Sequence, residues 1–145
     1  MTVASGWDMH LVDTSVWVHA LRPKGNPGVA ARLRPLIIAG QAAVTEWVLL
    51  ELITGLGKSE SQESLLAWFE PVERLKSWYS ASWESAWANA ARLRKRGISV
   101  TAADCLIATV AIENKVPLAH CDADFEKMKG VLPLTTEDWT PRPRR

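Results

Sequence analysis

The chain has few of the features that would place it in a simple class of protein. It contains two cysteines in 145 residues, Cys105 and Cys121, and neither lies in a CxxC or a Cys/His spacing. A disulfide framework and a cysteine-based zinc site are therefore excluded, and both thiols are expected to be free and reduced. No apolar run approaches about 20 residues, and the N-terminal residues lack the basic and apolar regions of a signal peptide. These absences predict a cytoplasmic protein with no membrane segment.

The chain also lacks a large net charge of either sign. Its 17 basic and 16 acidic residues leave a formal net charge of +1. A globally basic surface is excluded, so any contact with nucleic acid must use a local cluster. One such cluster, late in a predicted helix, comprises Arg92, Arg94, Lys95 and Arg96. It is either a solvated helix end, which the helix dipole favours, or a rail for a nucleic-acid backbone.

Apolar residues are abundant, and tryptophan is unusually frequent. Hydrophobic residues make up 48% of the chain, which predicts one globular domain with a sizeable core. The sequence has eight tryptophans. Tryptophan can stack on nucleic-acid bases, but it more often packs in a core or an interface. We interpret Trp83 and Trp87, one helical turn apart, as core or interface residues, and Trp68 and Trp78 as residues of a partner surface.

Short apolar segments alternate with helical patterns along the chain. Strands are predicted at 9–12, 42–44, 72–75, 118–120 and 131–134. Helices are predicted at 14–21, 29–39, 45–55, 59–69, 82–96 and 102–114, and a turn or short helix at 122–128. Pro35 is expected to kink the second of these helices. The third is capped by Thr45 and ends at about Gly55, and the fourth is capped by Ser59 or Ser61. This alternation predicts an α/β domain with a central, mainly parallel five-stranded sheet. Such a sheet places its site just beyond the carboxyl ends of its strands.

Four acidic residues are distributed so that this fold can bring them together: Asp13, Glu51, Asp104 and Asp122. Asp13 and Asp122 each follow a predicted strand directly, so both are expected at the carboxyl edge of the sheet. Carboxylates packed side by side repel each other and resist ionisation. Proteins that collect them usually hold a hard cation, and Mg²⁺ and Mn²⁺ prefer oxygen ligands. The pattern indicates a metal-dependent enzyme that acts on phosphates.

Each acid also has a purely structural interpretation. Asp13 can be the N-cap of the first helix, and Glu51 can be a solvated position within its helix. Thr101-x-x-Asp104 fits a capping box, although Asp104 shares a helix face with small apolar residues. Asp122 and Asp124 can form an Asx turn. Taken one at a time, none of these residues distinguishes a site from a cap or a turn.

The four acids lie in four motifs that occur in a particular order. The motifs are Leu-Val-Asp-Thr-Ser-Val-Trp at 11–17, Glu-Leu-Ile-Thr-Gly at 51–55, Thr-Ala-Ala-Asp-Cys-Leu-Ile-Ala at 101–108 and Cys-Asp-Ala-Asp-Phe at 121–125. Through them the chain resembles PIN-domain proteins, and specifically the VapC-type toxins of bacterial toxin–antitoxin pairs. The resemblance implies a three-layer α/β/α PIN domain at 9–139, after an N-terminal extension at 1–8 and before a flexible basic tail at 140–145.

The resemblance also implies an activity and a set of site residues. The activity is that of an endoribonuclease that depends on Mg²⁺, or alternatively Mn²⁺. The implied catalytic acids are Asp13, Glu51, Asp104 and Asp122; the implied metal ligands are Asp13, Asp104, Asp122 and the accessory acid Asp124; the implied polar supports are Thr14 and Ser15. The chain departs from the family at Ala119-His120, where relatives often have an apolar residue and a threonine. Whether a hydroxyl orients the site therefore stays open, as does the role of His120.

The partners implied by the resemblance are an RNA substrate (tRNA or rRNA), a VapB-type antitoxin and a second copy of the chain in a homodimer. An RNA enzyme needs positive charge near its acidic site, but the helix dipole alone also explains the 92–96 cluster, so the rail and the solvated helix end both stay open. Three other functions stay open: a housekeeping PIN nuclease for RNA or DNA processing, a catalytically weak PIN binding module, and a phosphatase-like hydrolase. We expect structural or surface roles for His10, His19 and His120, which show no common ligand spacing.

Overall fold

A five-stranded, all-parallel sheet forms the centre of the protein. The computed structural model describes residues 8–75 and 80–143, apart from the side chains of residues 80 and 81. The strands are β1 (His10–Val12), β2 (Ala42–Thr45), β3 (Glu73–Leu75), β4 (Leu118–His120) and β5 (Thr136–Asp138). They lie in the order β3-β2-β1-β4-β5, so the chain moves outward from β1 in one direction and later returns to build the other half. The strand order therefore reverses between β1 and β4, which is where open α/β sheets bind ligands.

Seven helices are described around the sheet, and most begin at a polar cap. They are α1 (Thr14–Leu21), α2 (Pro27–Ile38), α3 (Glu46–Thr54), α4 (Gln62–Phe69), α5 (Ser80–Lys95), α6 (Ala102–Asn114) and α7 (Ala123–Lys129). The side chains of Asp13, Asn26, Thr45, Ser61, Thr101 and Asp122 accept first-turn amide hydrogens at the N-caps. The predicted α/β fold with a five-stranded parallel sheet is confirmed.

The last strand lies later in the chain than the sequence pattern predicts. Residues 131–134 are not a strand, because the amides of Val131 and Leu132 donate to the carbonyl of Met128, and Leu134 donates to Leu132. Pro133 in this segment has no N–H to offer a neighbouring strand. The pairing strand is instead Thr136–Asp138, with Leu118 opposite Thr136. The apolar residues at 131–134 bury their side chains in a turn after α7, which produces the same sequence pattern as a strand.

Helix boundaries differ from the predicted ones by a few residues. The second helix begins at Pro27, two residues early, because Asn26 supplies the cap and proline suits the first position. It continues through Pro35 to Ile38, and Gly40 follows with a φ of 69°. Helix α4 uses Ser61 and not Ser59 as its cap. The predicted boundaries of the extension and tail stay predictions, and residues 1–7 and 144–145 lie outside the described part of the chain.

The exposed positions of Trp83 and Trp87 contradict a role in the core. They are 45% and 66% exposed. The face of α5 that packs on α6 includes the buried residues Ser82, Ala86 and Leu93, which lie on a neighbouring stripe of the helix. Small side chains at 82 and 86 allow the two helices to approach closely, and this displaces the bulky tryptophans to the flank. The interface interpretation remains open for them.

Other tryptophans do pack in the interior. Trp17 is fully buried, donates from Nε1 to the carbonyl of Val12 at 3.0 Å, and packs edge-on against Phe69. Trp139 is 5% exposed. Trp78 lies outside the described residues, and Trp68 is 45% exposed. Among the described helices, none has the length and apolar character needed to cross a membrane.

Candidate metal centre

Asp13 lies where β1 ends and α1 begins, at the carboxyl edge of the sheet. Its backbone amide donates to the carbonyl of Ala119 at 3.0 Å, which ties the end of β1 to β4. Its Oδ2 accepts from the backbone amide of Ser15 at 3.0 Å and from the Ser15 hydroxyl at 2.6 Å. Asp13 is only 4% exposed. It is therefore the N-cap of α1, as the structural interpretation holds, and a buried carboxylate at the predicted site as well.

The hydroxyl of Ser15 joins two segments that are far apart in sequence. While Oγ donates to Asp13, it also accepts from the backbone amide of Cys121 at 2.9 Å. This pair of hydrogen bonds connects the loop after β1 with the loop after β4. The polar support predicted for Ser15 thus has a definite geometry: it fixes Asp13 relative to the segment that carries Asp122.

Thr14 brings Glu51 to the same region. The Thr14 hydroxyl donates to Glu51 Oε1 at 2.9 Å. Glu51 is half-buried, although its helix neighbour Leu50 is 50% exposed. The interpretation of Glu51 as a solvated helix position is therefore wrong, because its carboxylate is held against the first turn of α1.

The remaining acids lie at the N-termini of two helices. Asp104 occupies the first turn of α6, and its amide donates to the Thr101 hydroxyl at 3.1 Å, as the capping-box pattern predicts. Asp122 caps α7, with Oδ1 accepting from the amide of Asp124 at 3.0 Å. Asp124 also forms an ion pair with Lys127 at 3.1 Å, in which Asp124 is partly exposed. The cap and turn interpretations are thus correct for these residues, and they do not exclude a site.

Three of these carboxylates converge. One oxygen from each of Asp104, Asp122 and Asp124 lies within 4.8 Å of the other two. Two ligands on opposite sides of Mg²⁺ are about 4.2 Å apart, because each lies about 2.1 Å from the ion. The upper bound of 4.8 Å is only slightly above that separation, and the donors are all of the hard oxygen type that Mg²⁺ and Mn²⁺ prefer. The residues present fit a divalent metal, with Asp13 buried beside the three.

The charges of the acidic residues raise one another's pKa values. Burial, followed by the charges of Asp13 and Asp122, raises the pKa of Asp104 from 3.8 to about 6. Burial also raises the pKa of Asp13, against the opposing effect of the Ser15 hydrogen bonds, and the charge of Asp122 adds to it. The pKa of Glu51 is raised by burial and, to a smaller extent, by Asp13. Such mutual repulsion is relieved when a cation binds.

The structure assigns contacts to two of the three histidines. His10 Nε2 lies 2.5 Å from Glu137 Oε2, and the fully buried His120 lies 2.8 Å from Glu126 Oε1. These contacts support the expected structural roles of His10 and His120, while the role of His19 stays a prediction. Both cysteines are free, as predicted, and burial raises the pKa of the Cys121 thiol to about 11.

Sequence reasoning missed Glu126 and its partners. The carboxylate of Glu126 accepts from Thr136 Oγ1 at 2.6 Å and pairs with Lys129 at 3.1 Å. The Thr136 hydrogen bond is the main cause that lowers the pKa of Glu126 to about 2. No motif marks Glu126, and its contact with Thr136 depends on the position of β5, which the sequence pattern misplaces.

The predicted basic cluster lies beside a cavity between α5 and α6. A cavity of about 420 Å³ separates the end of α5 from the start of α6, and its lining includes Arg94, Leu93, Thr101 and Cys105. Thr101 is the residue that caps the helix carrying Asp104. All four members of the cluster are exposed at the end of α5. Of the four, Arg94 is the one that lines this cavity.

Known proteins provide an independent comparison. The sequence model of the PIN domain matches residues 10–131, a span that contains all five acids. Ribonuclease VapC11 of Mycobacterium tuberculosis is 29% identical over 129 residues, which cover 87% of this chain and 96% of that protein. The resemblance to VapC-type proteins drawn from the four motifs is thus confirmed.

Solved structures share the fold. The VapBC2 complex of Rickettsia felis, bound to a DNA fragment from its promoter, superposes with a TM-score of 0.72 at 21% identity, covering 90% of this chain and 98% of that one. VapC20 of Mycobacterium tuberculosis, described as a sarcin–ricin loop cleaving toxin, has a TM-score of 0.60 at 22% identity, covering 87% and 98%. With the family match across residues 10–131 and the acids gathered at one sheet edge, the chain belongs to the PIN-domain family.

Proposed function

We propose that this chain is a metal-dependent endoribonuclease that hydrolyses RNA phosphodiester bonds, and that it acts in the cytoplasm as the toxin of a toxin–antitoxin pair. The observation that carries the proposal is the convergence of Asp104, Asp122 and Asp124 within 4.8 Å, beside the buried Asp13. Its VapC relatives are named ribonucleases, which supports the same activity. Transfer RNA and ribosomal RNA are the proposed substrate classes.

We assign each acidic residue a role in the proposed reaction from its surroundings. Asp104, Asp122 and Asp124 would hold Mg²⁺ or Mn²⁺, with Asp13 as the inner ligand. A divalent ion supplies Lewis acidity that activates water and offsets the charge developing on the phosphate. Glu51, which accepts a hydrogen bond from Thr14, would hold the attacking water. No protein nucleophile is required, and hydrolysis leaves a 5′-phosphate and a 3′-hydroxyl, as the family resemblance implies.

We place the RNA backbone along the end of α5. An acidic centre repels a polyanion, so positive charge is needed nearby to hold the strand. Arg94 borders the cavity that adjoins Thr101, and Arg92, Lys95 and Arg96 are exposed on the same helix end. We therefore assign the cluster to RNA binding, with Arg94 as its member in the cavity that reaches Thr101.

The proposed antitoxin is a VapB-type protein that docks on an apolar surface between α1 and α2. Ile38 is 80% exposed and Trp68 is 45% exposed, and both line a cavity of about 210 Å³ beside α2. Solved structures with this fold include VapBC toxin–antitoxin complexes, in which such a partner is present. An apolar segment of the antitoxin would cover these side chains.

We further propose a homodimer that buries the exposed flank of α5. Trp83 and Trp87 lie one turn apart and expose 45% and 66% of their surface. Two large aromatic side chains on one helix flank are typical of an interface, where tryptophan is enriched. The dimer surface and the antitoxin surface use different tryptophans, so they can be tested separately.

The activity is tested by incubating antitoxin-free protein with total cellular RNA in Mg²⁺, in Mn²⁺ and in EDTA. The wild-type protein should yield discrete, metal-dependent fragments, and end mapping should identify the target. Asp13→Asn and Asp104→Asn should reduce the cleavage rate at least ~100-fold, a loss typical of removing a group that stabilises the transition state. Glu51→Gln should also reduce the cleavage rate.

The matched control is Glu46→Gln, which removes an exposed acid from the same helix as Glu51. Its activity should equal that of the wild type. Full metal-dependent activity in Asp13→Asn or Asp104→Asn contradicts the assignment, and folded wild-type protein that never cleaves supports the binding-module alternative. A short antitoxin reading frame beside the gene distinguishes a toxin from a housekeeping nuclease.

A further inference from the structure

His120 is the last residue of β4 and lies directly before the loop that carries Asp122. Its side chain is fully buried. Its backbone is fixed on one side, because its carbonyl accepts from the amide of Trp139 at 2.7 Å. Its ring then turns toward the following loop, where Nδ1 lies 3.0 Å from the backbone nitrogen of Asp122.

The hydrogen bonds determine which ring nitrogen carries the proton. The backbone N–H of Asp122 can only donate, so Nδ1 of His120 must accept with its lone pair. The ring proton is therefore on Nε2, which donates to Glu126 Oε1 at 2.8 Å. Glu126 is held as an acceptor by two further donors, Thr136 Oγ1 at 2.6 Å and Lys129 Nζ at 3.1 Å. The chain of contacts fixes both the tautomer and the ring orientation.

The effect of this chain of contacts reaches the acids through the backbone. Asp122 supplies one of the three converging oxygens, and its Oδ1 also accepts from the amide of Asp124. Holding the Asp122 amide therefore sets the start of α7 and the direction of both carboxylates. A direct chemical role for His120 is excluded, because the ring is buried and both nitrogens are engaged.

We propose that His120 is a positioning residue for the metal centre: it accepts the Asp122 amide hydrogen and thereby directs Asp122 and Asp124 toward Asp104. Glu126 and Thr136 keep the ring in the accepting tautomer. The proposal rests on the proposed metal site. It assigns roles to His120 and Glu126 that the family motif does not supply.

Two substitutions of His120 distinguish the roles of its two ring nitrogens. In His120→Asn the amide oxygen occupies the place of Nδ1 and can accept from Asp122, but the contact with Glu126 is lost. In His120→Gln the amide nitrogen reaches the place of Nε2 and can donate to Glu126, but nothing accepts the Asp122 amide. Both variants should unfold at a lower temperature, because each leaves space at a buried site.

Only the glutamine variant should bind metal poorly. Calorimetric titration of Mn²⁺ into the metal-free protein, without RNA, should show a dissociation constant raised about 10- to 100-fold in His120→Gln, the usual effect of removing a group that orients a ligand. For His120→Asn the change should stay below about 3-fold, because the hydrogen bond to Asp122 is replaced. Glu63→Gln, at an exposed position of α4, is the control and should bind like the wild type.

A measurement on the wild-type protein keeps the proposal testable if a variant does not fold. Long-range ¹H–¹⁵N NMR of the imidazole should show the Nε2-protonated tautomer of His120, with Nδ1 shifted as a hydrogen-bond acceptor. An Nδ1-protonated ring overturns the proposal, as does equal Mn²⁺ affinity in wild type and His120→Gln, or an equal loss in both variants. If the wild type itself binds no Mn²⁺, the proposed metal centre fails and this inference fails with it.

Discussion

Asp13 combines two tasks that usually fall to different residues. It caps α1 by accepting first-turn hydrogens, and it contributes a deeply buried carboxylate to the acidic edge. The same is true of Asp122, which caps α7 and converges with Asp104. Capping amides stabilise a carboxylate that burial and neighbouring charges destabilise. The folding requirement and the chemical requirement are therefore met by one side chain at each position.

Asp104→Asn should stabilise the metal-free protein. The folded-state pKa of Asp104 is about 6, above its ordinary value of 3.8, so the charged form costs stability. That shift corresponds to roughly 3 kcal/mol, which partial exposure of the group reduces to an expected gain of about 1 kcal/mol in the variant. The loss of stability caused by the charged carboxylate is absent below pH 3.8, grows between pH 3.8 and about 6, and is complete above pH 6. Denaturant unfolding in EDTA across this window measures the difference.

The control for that measurement is Glu63→Gln, which removes an exposed first-turn acid from α4 and should give no comparable gain. Adding Mg²⁺ should reverse the order of stability, because an ion that binds only the folded wild type stabilises it by mass action. A variant that is no more stable than the wild type in EDTA above pH 6 argues against the electrostatic account of the site.

Ser15→Ala should weaken both the fold and the activity. The substitution removes the hydroxyl that donates to Asp13 and leaves the amide of Cys121 without its acceptor. Loss of a buried partner of this kind costs about 1–3 kcal/mol. Thermal unfolding and the RNA cleavage rate measure the two effects. Ser64→Ala, at an exposed position of α4, is the control, and equal stability of the two variants contradicts the bridging role.

At the scale of elements, the caps and the acids were readable from sequence, and the packing partners were not. The N-caps Thr45, Thr101 and Asp13 act through residues only two or three positions away, so a local pattern predicts them. The strand β5 was misplaced because an apolar turn and a short strand have the same composition. The flank position of Trp83 and Trp87 depends on how closely α6 approaches α5, which no local pattern records.

Arg94→Ala combined with Lys95→Ala should weaken RNA binding without disturbing the fold. Both side chains are exposed at the end of α5, and each contact with a single-stranded phosphate contributes about 0.7 to the dependence of log affinity on log salt. Binding of an RNA oligonucleotide to the Asp104→Asn protein, measured over a salt series, should show a slope reduced by about 1.4.

Lys115→Gln is the control for the salt series, because it lies at the far end of α6, about 16 Å from Asp104 along the helix axis. It should leave the slope unchanged. An unaltered slope in the double variant assigns the cluster to a solvated helix end instead of an RNA rail.

At the scale of the whole molecule, the strand order explains why the acids meet. β1 lies at the centre, with β2 on one side and β4 on the other, so Asp13 and Asp122 emerge side by side although 109 positions separate them. Glu51 and Asp104 arrive on helices, through Thr14 and the Thr101 cap. The sequence predicted which acids to consider, but their spacing is a property of the sheet. The Glu126 contact to His120 belongs to this level, and it was not predicted.

The two tryptophan surfaces predict separable assembly defects. Trp83→Gln combined with Trp87→Gln should convert the dimer to a species of 16.1 kDa in light scattering, while antitoxin binding persists. Trp68→Gln should keep the dimer and lose affinity for the antitoxin, because it alters the other surface. Each variant is thus the control for the other. A wild-type protein that is monomeric at all concentrations rejects the dimer.

The pairing of β1 with β4 also sets the stage of synthesis at which the acidic site becomes complete. Leu11 lies opposite Leu118, so the central ladder joins the beginning of the chain to a segment synthesised much later. Contacts of such long sequence separation form slowly and only after the distant segment is available. A nascent chain still attached to the ribosome therefore holds Asp13 and Glu51 without the partners that complete the site. The acidic site therefore stays incomplete until β4 has been synthesised, and we expect a protein truncated before β4 to lack the proposed nuclease activity.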